Sequence, residues 1–198
     1  YEEIEEVSYA SGTCMFLPRK IIEEIGYFDQ RLFAYHEELD FGWRARLCGY
    51  KSYYVPQSII HHFGSAGWGW SSQKFYFLER NRWLVLLKNY SLKTITKLFP
   101  SLLLLEIIMI GFFAKKGILR KKIWSYGSII RSYNQIRKER KKIQSIRKLS
   151  DVQIMKSFCC NMYIPPESEE EEHMKSFNNI LIKLSKISGF YKKVRIVE

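Results

Sequence analysis

Residues 98–114 read Leu-Phe-Pro-Ser-Leu-Leu-Leu-Leu-Glu-Ile-Ile-Met-Ile-Gly-Phe-Phe-Ala, and a run this apolar has to be covered by protein or by lipid. Only Pro100 and Glu106 interrupt it clearly. As a helix the run rises about 25 Å, short of the roughly 30 Å hydrocarbon core of a bilayer. A carboxylate at mid-span is also costly in lipid. Helices lying in a membrane interface or dipping partly into it are therefore expected, with a short true span as the alternative. The following residues favour a membrane partner. Between 115 and 148 stand thirteen Lys or Arg against one acid, Glu139, so this segment alone carries the formal charge of +12 while the remainder balances. Ile118, Ile123, Trp124, Tyr126, Ile129 and Ile130 are interleaved with those cations, a composition suited to an anionic membrane surface. Nucleic-acid readers carry their basic residues on a recognisable platform or motif, and none is present, so no nucleic-acid partner is expected.

The apolar and basic segment, 91–150, divides the chain. Residues 1–90 read as compact mixed α/β: a strand over 8–17, a short helix opened by Pro18 and closed by Gly26, and a helix over 37–48 ending at Gly49. A β-rich stretch over 50–55 stops at Pro56, and 58–62 reads as another short strand. A glycine and aromatic loop over 63–70 precedes a helix capped by Ser71 or Ser72 and running to about Tyr90. Residues 151–198 read as an acidic linker around 167–172 followed by an amphipathic tail with Phe177, Ile180, Leu181, Leu184 and Ile187 on one face. Cys14, Cys48, Cys159 and Cys160 show no CxxC spacing, and reduced thiols are expected. The chain opens on Tyr1 rather than methionine, so a piece of a longer polypeptide is expected.

The densest chemistry lies in Gly26-Tyr27-Phe28-Asp29, in the string from Tyr35 to Arg44 (Tyr-His-Glu-Glu-Leu-Asp-Phe-Gly-Trp-Arg), in Gly49-Tyr50, in Pro56, and in His61-His62. Glu37, Glu38 and Asp40 crowd the first turn of a helix, where unpaired N–H groups and the helix dipole favour ionised carboxylates. Asp40 and Arg44 are spaced to pair on one face, which leaves Glu38 about 100° away for another task. An ionised carboxylate at such a helix start suits a general base that takes a proton from a hydroxyl. Acids also enrich helix starts for stability alone, so the residues by themselves leave both readings open.

Taken as a set over residues 11–83, this string resembles the second half of the GT-A domain of family 2 inverting glycosyltransferases, especially rhamnosyl- and galactofuranosyltransferases. The resemblance implies an α/β fold: the carboxyl-terminal part of a Rossmann-like GT-A catalytic domain, followed by membrane-associated helices. It implies that Glu38, where the family usually carries Asp, is the catalytic base, and that His62 helps bind a divalent cation, Mn²⁺ or Mg²⁺. His61 reads as an ordinary packed histidine. Around the substrates the resemblance places Ser11, Gly12, Glu37, Asp40, Arg44, Trp68 and Arg80, with Arg82 an alternative to Arg80 at the diphosphate and Trp70 beside Trp68. The implied partners are a nucleotide-diphosphate sugar, a lipid-linked or saccharide acceptor and an anionic membrane at the cytoplasmic face of the cell. One departure is large. The family holds its donor and metal with an upstream Rossmann-like half bearing a DxD motif, yet residues 1–36 contain one aspartate, Asp29. A fragment, a split gene or a non-catalytic membrane-binding remnant would each look like this.

Overall fold

A computed structural model describes residues 2–62, 71–155 and 171–188, and among them the chain is mostly helical, with eight helices and one two-stranded sheet. Strand β1 (Glu5–Val7) runs antiparallel to β2 (Ser52–Tyr54), with Glu6 opposite Tyr53 and Val7 opposite Ser52. Between the strands come α1 (Arg19–Ile25) and α2 (Glu37–Leu47). Helix α1 starts after Pro18 and stops at Gly26, whose φ of 83° lies in the left-handed region that glycine adopts readily. Arg46 of α2 reaches back to the strand, donating to the Ser8 carbonyl at 2.7 Å and to Glu6 at 3.2 Å. Ile25, Phe41, Ala45 and Cys48 form the first core cluster, so α1 and α2 share one apolar seam.

Helix α3 (Ser72–Asn89) begins where Ser71 Oγ accepts the Lys74 N–H at 3.2 Å, and α4 (Leu92–Lys115) where Ser91 Oγ accepts the Thr94 N–H at 3.1 Å. These are serine caps that satisfy otherwise orphaned donors. The basic segment folds into α5 (Leu119–Arg131) and α6 (Tyr133–Ser145), which lie along α3; Leu32, Leu84, Val85 and Ile136 close that interface. Helix α7 (Asp151–Met155) turns under α2, where Trp43, Leu47, Ile143 and Ile154 make a third cluster. Helix α8 (Glu171–Ser188) runs against α4, and Ser101 Oγ donates to the Leu184 carbonyl at 2.9 Å.

Three expectations change. Residues 8–17 do not form a strand: Ser11 Oγ bonds the Thr13 hydroxyl and backbone, turning the chain, and Tyr9 is drawn onto α2. Residues 58–62 are not in a strand and have no ladder among the described residues. The apolar run is part of one 24-residue helix with Pro100 inside it, which at 1.5 Å per residue spans about 36 Å. By length and composition α4 is able to cross a membrane.

Candidate active site

The approach to α2 is made of backbone that side chains have to hold in place. Phe33, Tyr35 and His36 have φ of 60°, 67° and 68°. Left-handed non-glycine residues cost on the order of 1–3 kcal/mol each and persist only where their surroundings enforce them. From one side α3 does so. Asn81 Nδ2 donates to the carbonyls of Leu32, Ala34 and Tyr35 at 2.8, 2.8 and 2.7 Å, and Arg80 donates to those of Arg31 and Leu32. From the other side Asp29 takes the Arg31 backbone N–H at 3.1 Å, the Arg31 guanidinium at 2.7 and 2.6 Å, and Lys88. Burial opposes ionisation of Asp29, yet those cations hold its carboxyl well below the usual carboxylate range.

Asp40 and Arg44 lie inside. Asp40 is fully buried and accepts from Arg44 Nε at 3.0 Å, Asn89 Nδ2 at 2.9 Å and Lys88 at 2.9 Å. Arg44 continues to the carbonyls of Ile25 at 2.6 Å and Tyr27 at 2.9 Å. The pair braces the helix start against the Gly26 turn. Both side chains also border a cavity of about 330 Å³, together with Asp29, Arg31 and Lys88.

Glu37 and Glu38 are left at the mouth of α2. The Oε2 atoms of both, and Nδ1 of His36, are buried without a hydrogen-bond partner among the described residues. Burial raises Glu37 above the ordinary carboxylate range; its own backbone N–H offsets part of this, and the adjacent Glu38 adds to it. Burial lowers His36, whose imidazole is therefore neutral at pH 7. Across the first turns of α2 runs the segment 9–12. A Cβ on Gly12 would sit 3.7 Å from the Glu38 Cβ, and one on Gly42 would come within 2.4 Å of the Tyr9 Cβ. Gly42 thus lets the strip at Tyr9 lie directly against the carboxylate helix, whereas the distance at Gly12 is ordinary van der Waals contact.

Beyond that strip opens a cleft of about 730 Å³, whose walls include Tyr9, Ser11, Thr13, Phe41, Tyr53 and His62. The fold therefore brings Gly12, Glu37 and Glu38 together, and places Ser11 and His62 in the neighbouring cleft. Arg80 is engaged by backbone carbonyls and by Asn81 Oδ1 at 2.9 Å. Trp68 and Trp70 lie outside the described residues. His62 is exposed, and no group of three or more His, Cys, Asp or Glu able to hold a metal occurs among the described residues. Those residues do not by themselves fit a divalent cation.

Sequence reasoning missed Asn81 and a buried network behind it. Lys122 of α5 is fully buried, bonded to Glu79 and lying 2.5 Å from Glu106; Arg82 donates to Glu106 at 2.6 Å and to Glu79 at 3.1 Å, and Tyr126 donates to Glu106. Two acids and two cations from three helices leave no net charge. The available signal was Glu106 itself, since an acid in an apolar run implies a cation near it. Outside the network, α4 exposes Leu103, Leu104, Ile107 and Ile110, and α5 exposes Ile123, Ile130 and Trp124, with Arg120 and Lys121 at 4.7 and 5.0 Å from the indole ring.

The raised Glu37 gives stability a sign with pH. A carboxyl raised in the fold binds its proton more tightly folded than unfolded, so its contribution declines as pH rises from the unfolded value through the folded one. Glu37→Gln is thus expected to raise Tm relative to the parent at pH 7.5 and to lose that advantage near pH 4. Thermal melts at the two pH values check this; an equal offset at both would mean Glu37 is not penalised.

Residues 1–133 of the 198 match the glycosyl transferase family group 2. Over 57 residues the chain is 39% identical to an N-acetylglucosaminyl-diphospho-decaprenol L-rhamnosyltransferase of Mycobacterium tuberculosis, which covers 28% of this chain and 19% of that protein. Over 43 residues it is 40% identical to the low-salt glycan biosynthesis hexosyltransferase Agl10 of Haloferax volcanii, covering 22% and 14% respectively. The matched stretches thus span less than a fifth of either relative. No solved structure matches the chain.

Proposed function

Because the chain belongs to the glycosyl transferase family group 2, we propose that it supplies the acceptor-activating, carboxyl-terminal part of a GT-A domain that transfers a sugar with inversion. The donor is a nucleotide-diphosphate sugar, and the acceptor is a hydroxyl of a lipid-linked or growing saccharide. Glu38 accepts the hydroxyl proton while that oxygen forms a bond to the anomeric carbon. The bond from that carbon to the diphosphate breaks on the opposite face, and the diphosphate leaves with the electron pair. One observation carries this reading: Glu37 and Glu38 each have a buried carboxylate oxygen without a hydrogen-bond partner among the described residues, and of the two it is Glu38 that lies against Gly12. Elsewhere the buried carboxylates Asp40 and Glu79 are paired with cations. Members of the family generally use a divalent cation. In this chain His62 would add at most one ligand from the cleft wall, and the described residues supply no set for it.

The exposed stripe of α4 and the Trp124 surface of α5 support an anionic membrane as partner, with α4 on or partly within the cytoplasmic face of the cell membrane. The donor-binding half belongs to residues beyond this chain, whether in one polypeptide or a second one. Purified 1–198 is therefore expected to bind anionic liposomes, to bind less as salt rises without complete release, and to transfer no sugar from a panel of nucleotide sugars. Complete release at moderate salt would overturn apolar insertion, and sugar transfer by the chain alone would overturn the divided site. In the complete enzyme, with a donor-binding half preceding Tyr1, NMR of the product is expected to show the anomeric configuration opposite to the donor's. Retention would rule out single displacement by Glu38.

A further inference from the structure

The geometry of α3 points to a role beyond packing: we propose that Asn81 is a positioning residue for Glu38, fixing the left-handed loop from which the base helix starts. The proposal rests on Glu38 being the base. Asn81 is fully buried, and its side chain makes no contact it can offer a substrate. Its Oδ1 is taken by Arg80 Nε at 2.9 Å, and its two amide hydrogens are divided among the carbonyls of Leu32, Ala34 and Tyr35. Those carbonyls flank Phe33 and Tyr35, two of the residues forced to positive φ. All three carbonyls accept from the one Asn81 Nδ2. The next residue, His36, is left-handed too, and its carbonyl accepts the Asp40 N–H at 2.8 Å, opening α2. If the loop relaxed toward ordinary backbone angles, the peptide planes at 35 and 36 would rotate and carry Glu37 and Glu38 with them.

The neighbours in sequence reinforce this. Arg80 adds bonds to the Arg31 and Leu32 carbonyls, while Glu79 and Arg82 tie the same turn of α3 to α4 and α5. The string Glu79-Arg80-Asn81-Arg82 thus faces two ways. Its middle residues hold the catalytic loop and its outer residues anchor the helix that does the holding. A base displaced by about 1 Å loses on the order of 10²-fold in rate, so a clamp at this position acts on turnover more than on binding.

Two measurements test the clamp. In chain 1–198, Asn81→Ala is expected to speed hydrogen exchange about 10-fold or more at amides 32–38, with the amides of α5 and the second half of α2 unchanged. Unchanged protection of the loop, or loss spread evenly over the fold, overturns the proposal. In the complete enzyme Asn81→Ala is expected to lower kcat by about 10–100-fold with the donor KM within about twofold, and to add little in a Glu38→Gln background, because both changes act through one carboxylate. If Glu38→Gln itself leaves turnover near normal, the base assignment falls. If Glu38→Gln is impaired yet Asn81→Ala costs its full factor in both backgrounds, only the positioning role falls. Asn81→Ser, which keeps one donor, is expected to lie between; loss of the whole fold in both variants would make Asn81 a core residue and overturn the proposal.

Discussion

Glu38→Gln is expected to lower sugar transfer by the complete enzyme about 10²-fold or more, with donor affinity nearly unchanged. Glutamine keeps the size and much of the hydrogen bonding of glutamate but cannot take up the acceptor's proton, so the loss is confined to the chemical step. The expectation follows from the contrast among the acids of α2. Asp40 is fully buried and paired with Arg44 and Lys88, leaving it no free oxygen for an acceptor. Glu37 is held above the ordinary carboxylate range, chiefly by burial, and carries its proton further into the working pH range. Glu38, like Glu37, keeps a buried oxygen without a hydrogen-bond partner among the described residues, but it is Glu38 that lies against Gly12, a position with no side chain. Glu37→Gln is expected to be milder. If steady-state assays rank the two variants the other way, the base is Glu37; if Glu38→Gln turns over at the parent rate, neither the assignment nor the family carry-over to this position stands.

Lys122→Met is expected to be the most destabilising single change in the helical half, by about 3–5 kcal/mol, because it strands buried carboxylates rather than merely removing a bond. Lys122 is fully buried and joins Glu79 to Glu106; without it, Arg82 alone is left to balance both acids. For a chain of this size that loss corresponds to roughly 6–20 °C in Tm. Replacing Glu79, Arg82, Glu106 and Lys122 together by apolar residues of similar volume is expected to recover most of it, since a buried ion network that is wholly absent leaves no charge uncompensated. A Tm within about 2 °C of the parent for Lys122→Met would mean that water reaches the ammonium and that the three helices are held by their apolar contacts.

What could be read from residue order was local. Pro18 and Gly26 bounding α1, the acids opening α2, and a serine capping α3 each depend on neighbours within a turn, and each stands where the pattern put it. The strands over 8–17 and 58–62 were misread because strand identity requires a partner, and only three residues near each end find one. The basic segment shows the same limit. Counting thirteen cations treats them as one surface, but Lys122 is in the core, Arg140 donates to the Leu87 and Tyr90 carbonyls at 2.6 and 2.7 Å, and Arg147 holds Asn89 and Asp151. These three close the end of α3 and the interior, so fewer charges remain for a membrane than the sum suggests. Asn81 was invisible for a further reason: its partners are carbonyls, and a carbonyl leaves no mark in a sequence.

The far end of α2 carries a consequence for how the chain comes into being. The Leu47 carbonyl accepts the amides of Lys148 and Leu149 at 2.7 and 3.0 Å, and Trp43 and Leu47 are covered by Ile143, Ile154, Leu149 and Met155. A helix made early is thus finished by residues about a hundred positions later, a long loop whose closure precedes any reward from its contacts. During synthesis, the apolar α4 leaves the ribosome while α2 still lacks its lower half of partners. Helix α4 is therefore complete before the far end of α2 is covered, and a chain stopped short of residue 155 would lack the cover that Ile154 and Met155 give Trp43 and Leu47.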